Sequence, residues 1–176
     1  MILIFTGNGK GKTTASLGQA MRALGHEKKV LIIQFIKGPW ESGEHLFAEK
    51  LLITNSQLSI KKTGKGFVGI LGDKLPFKEH KKSAQDGLKL AEKSITSKKY
   101  DLIILDEINN AVDLKLIKVS EVLKILKKFP KDKDIILTGR NAPKSFIKIA
   151  DIVTEMKEIK HIFQKNKKSM KKGMEY

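Results

Sequence analysis

Phe5-Thr6-Gly7-Asn8-Gly9-Lys10-Gly11-Lys12-Thr13-Thr14 is the stretch on which the reading of the whole chain turns. An apolar run, Ile2-Leu3-Ile4-Phe5, precedes it and reads as a buried strand. Ala15-Ser16-Leu17-Gly18-Gln19-Ala20-Met21 follows and reads as the start of a helix. Strand, glycine-rich loop, Lys-Thr and helix is the context of a phosphate-binding P-loop. Glycines let the backbone turn several N–H groups toward one anion, and the helix N-terminus behind them adds positive potential. Lys12 would set its ammonium on the outer phosphates, and the Thr13 hydroxyl would reach Mg²⁺. The general pattern has glycine where Thr6 stands, so the loop here is one residue tighter at its front.

Outward from this loop, strands and helices alternate. Strands are expected at Ile2–Thr6, Val30–Phe35, Leu58–Lys62, Leu102–Leu105, Ile135–Thr138 and Ile152–Met156. Helices are expected over Thr13–Leu24, Glu44–Leu51, Lys78–Lys98, Val119–Lys128 and from Pro143. In the first of them Leu17, Met21 and Leu24 share a face. In the third Ala84, Leu88, Ala91 and Ile95 do. Alternation of this kind predicts an α/β fold with a mainly parallel central sheet. Continuous apolar strands fit a sheet covered on both faces. Parallel strands bring the P-loop, the Phe35–Glu44 loop, Asp106-Glu107 and the Thr138–Asn141 loop to one sheet edge, where ligands bind. One domain over residues 1–156 is expected, with 157–176 as a basic tail that belongs to it or is partly disordered.

The chain has 176 residues and 40% apolar content, with no cysteine, so disulfides and thiolate metal sites are excluded. No apolar run has the length of a membrane span, and the N-terminus reads as a strand rather than a signal peptide, which points to the cytoplasm. The net charge of +16 suggests a polyanion partner, but only two of the 35 basic residues are arginines, Arg22 and Arg140. A generally lysine-rich composition is the simpler account. The exception is the dense run Lys157, Lys160, Lys165, Lys167, Lys168, Lys171 and Lys172.

Asp106-Glu107 closes an apolar strand, as the acidic half of a nucleotide site does. A carboxylate there holds Mg²⁺ directly or through water, or polarises an attacking water. Arg140, just past a strand end, either reaches phosphate or forms a surface ion pair. His26 and His80 read as surface residues. Trp40 and Phe67 sit in loops; core packing is the simpler reading, and an apolar substrate wall at the mouth of the phosphate site is the other.

Taken together, these segments resemble the P-loop corrinoid adenosyltransferases. The resemblance is carried by the loop from Gly7 to Thr14, by Gln34-Phe35-Ile36-Lys37-Gly38 with Gly43-Glu44, and by Leu105-Asp106-Glu107-Ile108-Asn109. It continues in Leu137-Thr138-Gly139-Arg140 with Ala142-Pro143, in Val153-Thr154-Glu155-Met156, and in Lys160-His161. It implies a RecA-like three-layer fold, a homodimer, and transfer of the 5′-deoxyadenosyl group of ATP to the cobalt of cob(I)alamin with release of triphosphate. The product would be adenosylcobalamin or an adenosylated cobyric precursor. It also implies Lys12 and Glu107 as catalytic residues, and Thr13, Glu107 and Asp106 around Mg²⁺. Gly7, Asn8, Gly9, Lys10, Gly11, Lys12, Thr13, Thr14 and Arg140 would bind ATP, and Phe67 and Trp40 the corrinoid. An electron donor such as a flavodoxin or reduced flavin would supply Co(I).

Two departures stand out. The family carries an aromatic pair in the loop matching residues 64–69, which helps remove cobalt's lower ligand. Phe67 matches, but Gly69 occupies the tryptophan position. Many relatives also have a segment before the first strand that covers the site, and a chain starting Met1-Ile2 is expected to lack that cover. The end, Gly173-Met174-Glu175-Tyr176, keeps the family pattern. The competing readings are a nucleic-acid-binding RecA-like ATPase, which the arginine shortage and lack of aromatic platforms disfavour, and a nucleotide- and corrinoid-binding protein with weak catalysis.

Overall fold

Each apolar run becomes a strand of one sheet. The computed structural model describes residues 1–52, 57–70, 72–161 and 171–174. Its strands are β1 (Ile2–Thr6), β2 (Val30–Gln34), β3 (Leu58–Lys62), β4 (Leu102–Asp106), β5 (Asp134–Thr138) and β6 (Ile152–Glu155). Every pairing is parallel, in the order β3-β2-β4-β5-β1-β6. Parallel neighbours need crossovers, and helices supply them. These are α1 (Lys12–Leu24), α2 (Gly43–Leu52), α3 (Phe77–Thr96), α4 (Ile108–Asp113), α5 (Val119–Lys127) and α6 (Lys144–Ile149).

Alternate residues of each strand feed opposite faces, which gives two cores. Ile4, Leu31, Ile33, Ile103, Leu105, Ile135 and Leu137 meet α3, α4, α5 and Phe146 of α6 on one side. Leu3, Phe5, Val30, Ile32, Leu102, Ile104 and Ile136 meet α1 and Ala48 of α2 on the other. The result is three layers, with β2 and β4 buried along their whole length. β6 is an exposed edge.

The helix faces follow the expected spacing with one exception. Ala84, Leu88, Ala91 and Ile95 of α3 are all buried. On α1, however, Met21 is 69% exposed, and Ala20 takes the inward place between Leu17 and Leu24. Helix α4 was not expected. Its Asn-Asn pair and short length carry little helical signal; burial of Ile108, Ala111 and Val112 forms it.

The strand order places the functional edge. β5 lies between β1 and β4, so Thr138 at its end stands between the P-loop and Asp106. Three carbonyl contacts lock the exits together: Gly139 N–H donates to Phe5 O at 3.1 Å, Phe35 N–H to Asp106 O at 3.0 Å, and Met156 N–H to Thr6 O at 2.8 Å. Lys165, Lys167 and Lys168 of the basic run, and Glu175 and Tyr176 of the terminal pattern, lie outside the described residues.

Helix α6 has six residues and one fully buried anchor, Phe146. Phe146→Ala is expected to destabilise the protein by about 3–5 kcal/mol, from lost transfer energy plus a cavity. Urea unfolding measures it; an unchanged midpoint would contradict the packing described.

Candidate active site

Asp106 is the hub of the site. Its side chain is fully buried at the end of β4. Thr13 Oγ1 donates to Oδ1 at 2.8 Å and Thr138 Oγ1 to the same oxygen at 2.7 Å. Gln34 Nε2 donates to Oδ2 at 3.3 Å. Burial pushes the carboxyl above its usual range, and the two threonine hydroxyls oppose that shift. The carboxylate thus ties α1, β5 and β2 to one point. Both of its oxygens are occupied by protein donors.

The P-loop folds as its sequence requires, with an addition. Gly11 is the residue before α1 and has φ +113°, a conformation that favours glycine. Gly9 serves close approach instead. Its N–H donates to Met156 O at 2.7 Å, and a Cβ on it would lie 2.7 Å from Lys157 O. The chain leaving β6 therefore runs across the front of the loop, and this amide is committed to the protein rather than free for a phosphate. Thr6, the departure from the general pattern, fastens the loop that follows β5, since its hydroxyl accepts the Ala142 N–H at 3.1 Å. Lys12 Nζ donates to Gly9 O at 2.7 Å. Burial, then the nearby Arg140 guanidinium, lowers the Lys12 ammonium from its ordinary value, and Glu107, Glu158 and Asp106 act against them. Lys10 Nζ donates to Met174 O at 2.5 Å, which brings the terminal segment beside the loop. Asn8 and Thr14 are exposed.

Glu107 stands at the N-cap of α4 with φ +62°, a strained conformation for a side-chain-bearing residue. Its N–H donates to Thr138 Oγ1 at 2.8 Å. Burial, then the Asp106 charge beside it, raises its carboxyl to about 7, against the pull of Lys37, Lys12 and Arg140. Arg140 is exposed, with its N–H on Asn110 Oδ1 at 2.6 Å. Lys12, Glu107 and Arg140 therefore feel one another's charge across the same edge.

A polar arm extends from the hub, and its roles are not readable from residue type alone. Gln34 Nε2 also donates to Glu44 Oε1 at 3.3 Å. Glu44 is ion-paired with Lys37, whose ammonium also donates to Ser42 Oγ at 3.3 Å. Gln34 and Glu44 stand within the motifs quoted above, yet nothing in their spacing reveals that they are linked. Thr138 likewise reads in sequence only as a strand end.

The aromatic loops differ from the core reading. Trp40 is 61% exposed and Phe67 36% exposed. Their ring centroids are 5.9 Å apart. The indole lies on two glycines: a Cβ on Gly38 would sit 2.4 Å from it, and one on Gly66 3.0 Å. The loop after β3 is fastened to the exit of β2 by Thr63 N–H and Gly64 N–H on Gln34 O, and by Gly66 N–H on Ile36 O. The rings therefore flank the polar arm on the same sheet edge. His80, expected at the surface, is 3% exposed and bonds Asp73; a lysine-rich helix hid its inward position.

A model of the family described as ATP:corrinoid adenosyltransferase BtuR/CobO/CobP matches residues 1–176. The corrinoid adenosyltransferase of Escherichia coli strain K12 is 32% identical over 163 residues, covering 93% of this chain and 79% of that protein. The corrinoid adenosyltransferase of Pseudomonas aeruginosa is 33% identical over 176 residues, covering 100% of this chain and 83% of its own. Among solved structures, the flagellar accessory protein FlaH from Methanocaldococcus jannaschii matches with a TM-score of 0.57 at 16% identity, over 88% of this chain and 69% of that one. That likeness concerns the fold alone, a P-loop ATPase-like α/β architecture.

Burial would raise the Glu44 carboxyl, but the hydrogen bond from Lys37 outweighs it with further help, and the net value falls from 4.5 to about 2. A depressed carboxylate stabilises the fold above its unfolded value, and that contribution is lost as pH falls through the folded one. After allowance for solvent screening the pair is expected to contribute on the order of 1–2 kcal/mol, lost as pH falls from about 4.5 to 2. Acid unfolding of the parent and Glu44→Gln tests this; identical acid profiles would contradict it.

Proposed function

The chain belongs to the ATP:corrinoid adenosyltransferase family, and from that membership we propose how its residues carry the reaction. The protein is a corrinoid adenosyltransferase: it transfers the 5′-deoxyadenosyl group of ATP to the cobalt of a reduced corrinoid. Cobalt forms a bond to C5′, the C5′–O bond breaks with its electron pair on oxygen, and triphosphate leaves. The nucleic-acid-dependent ATPase reading is not favoured by these relatives.

The chemistry asks little covalent work of the protein. The corrinoid is the nucleophile, so the site must orient ATP and stabilise the charge that leaves. Lys12, the free loop amides and Arg140 face the triphosphate, and Lys10 and Thr14 flank it. Gly7, Asn8, Gly9 and Gly11 shape the cradle. The donor set suits a small hard cation, since the Thr13 hydroxyl and the Glu107 carboxyl both offer oxygen. Thr13 and Glu107 would hold Mg²⁺, with Asp106 fixing the Thr13 hydroxyl through the 2.8 Å contact. When bound, the cation supplies further positive charge to the phosphates.

One observation carries the corrinoid assignment: two exposed aromatic rings in contact, Trp40 and Phe67, on the edge that bears the P-loop. A flat apolar wall of this kind suits a macrocycle. Gly69 lacks a ring, and Trp40 stands as the second aromatic beside Phe67. A flavodoxin or reduced flavin is proposed as the electron donor, and the cytoplasm as the place where such a donor is met. Among the described residues no helix is long and apolar enough to cross a membrane. The domain is proposed to extend over 1–156, with Lys157 laid against the P-loop at Gly9.

Two measurements check this reading. Lys12→Ala is expected to lower adenosylation by roughly a hundredfold or more, as loss of a preorganised charge contact does. The assay is formation of light-sensitive adenosylcobalamin from ATP and chemically reduced cobalamin; a parent-like rate in the variant would refute the assignment. The active form is proposed to be a homodimer, in keeping with exposed Ile147, Ile149, Ile152 and Val153 along the β6 side. Light scattering is expected to return twice the 19.7 kDa chain mass; a monomer of full activity would exclude it.

A further inference from the structure

Phe67 is exposed, yet the backbone on both sides of it is held. Before it, Gly66 N–H donates to Ile36 O at 3.0 Å. After it, Val68 packs against the buried core, and Gly69 N–H donates to Asp73 Oδ2 at 2.8 Å. Asp73 gathers the rest of the loop as well. Its Oδ1 accepts the Leu75 N–H at 3.0 Å, and its backbone N–H donates to Ile70 O at 3.1 Å. The fastening point lies on α3, where His80 Nε2 donates to Asp73 Oδ2 at 3.0 Å. The His80 and Asp73 side chains are 2% and 8% exposed.

This clamp has an unusual load. The segment it holds displays Phe67, Ile70 and Leu75 to solvent, so the clamp fixes side chains that the protein itself does not bury. Gly69 belongs to the same device. It has φ +69°, and a Cβ there would meet nothing within 4 Å. The turn imposed by Asp73, rather than lack of room, calls for glycine at the position where the family pattern has a ring. Helix α3 is rigid because Ala84, Leu88, Ala91 and Ile95 are packed in the core. His80 thereby transmits that rigidity to the loop.

We propose that Asp73 and His80 are positioning residues for the corrinoid, holding the Phe67 loop in the binding-competent shape before substrate arrives. The proposal rests on the assignment of the Trp40–Phe67 surface to the corrinoid. Its physical content is preorganisation: a loop ordered in advance does not draw its ordering entropy from binding. Among the described residues, the hydrogen bonds of Asp73 and His80 lie within this loop and α3 and none reaches the P-loop, so the two substrates separate the effect from general damage.

The test uses the full chain with Asp73→Asn, His80→Asn and His80→Gln, whose longer amide keeps a donor within reach of Asp73. KM is measured for ATP and for chemically reduced cob(I)alamin, and the visible spectrum of cob(II)alamin is recorded with ATP present. Asp73→Asn and His80→Asn are expected to raise the corrinoid KM roughly tenfold or more, as loss of a charged hydrogen bond does, and to leave the ATP KM within about twofold. They are also expected to abolish the band shift of four-coordinate cobalt, with His80→Gln restoring it. If Asp73→Asn fails to fold, the two His80 variants carry the comparison. Parent-like corrinoid KM and spectrum in the variants, or equal losses for both substrates, would overturn the proposal. A parent that makes no adenosylcobalamin would instead overturn the underlying assignment.

Discussion

A carboxylate with no solvent around it governs this molecule. Asp106 sits at the end of a strand buried along its whole length, where an isolated charge would cost several kcal/mol. Two threonine hydroxyls and a glutamine amide offset that cost. They come from α1, β5 and β2, so satisfying one oxygen pair fixes three elements relative to one another. The strand order makes this possible: β5 separates β1 from β4 and delivers Thr138 into the gap. Removing Gln34 would leave the buried Oδ2 without its donor, and removing Thr13 or Thr138 would halve the support of Oδ1 and untie α1 or β5 from the hub.

From that hub the site extends in two directions with different physics. Toward the P-loop the environment is charged. The Arg140 charge helps hold both the Lys12 ammonium and the Glu107 carboxyl lower than they would otherwise be, and the chain leaving β6 covers the front of the loop through Met156 and Lys157. Toward β2 and β3 the environment becomes flat and apolar. Gln34, Glu44 and Lys37 lead to Trp40 and Phe67, and the glycines at 38 and 66 make room for the indole. The surfaces proposed for the polyphosphate and for the macrocycle thus differ in kind, one charged and one apolar, on the same sheet edge. The same scaffold serves FlaH, so the fold alone does not select the chemistry.

Much of this was legible in the sequence. Apolar runs marked the inner strands β1, β2, β4 and β5, which are covered on both faces; the edge strands β3 and β6 carry polar residues and gave weaker signals. The order of the glycines, Lys12, Thr13 and Asp106-Glu107 suggested a shared site, and the structure brings Lys12, Thr13, Asp106 and Glu107 to one sheet edge. What the sequence hid depends on tertiary position. Nothing local tells that Thr138 lies between two strand ends, or that Gly9 makes way for Lys157. Met21 is misplaced because the neighbouring Ala20 offers equally good spacing; His80, expected at the surface, in fact continues the Ala84, Leu88, Ala91 and Ile95 stripe one turn earlier. Helix α4 owes its existence to burial rather than propensity. The aromatic pair joins loops distant in sequence, so a reading by single residues favours the core for both rings.

The central claim is that the P-loop holds the departing group intact, so that carbon and not phosphorus is attacked. Phosphorus NMR of a single reaction with ATP and cob(I)alamin tests it most directly. The account predicts inorganic triphosphate in a one-to-one ratio with adenosylcobalamin. ADP with orthophosphate, formed in step with turnover, would contradict it.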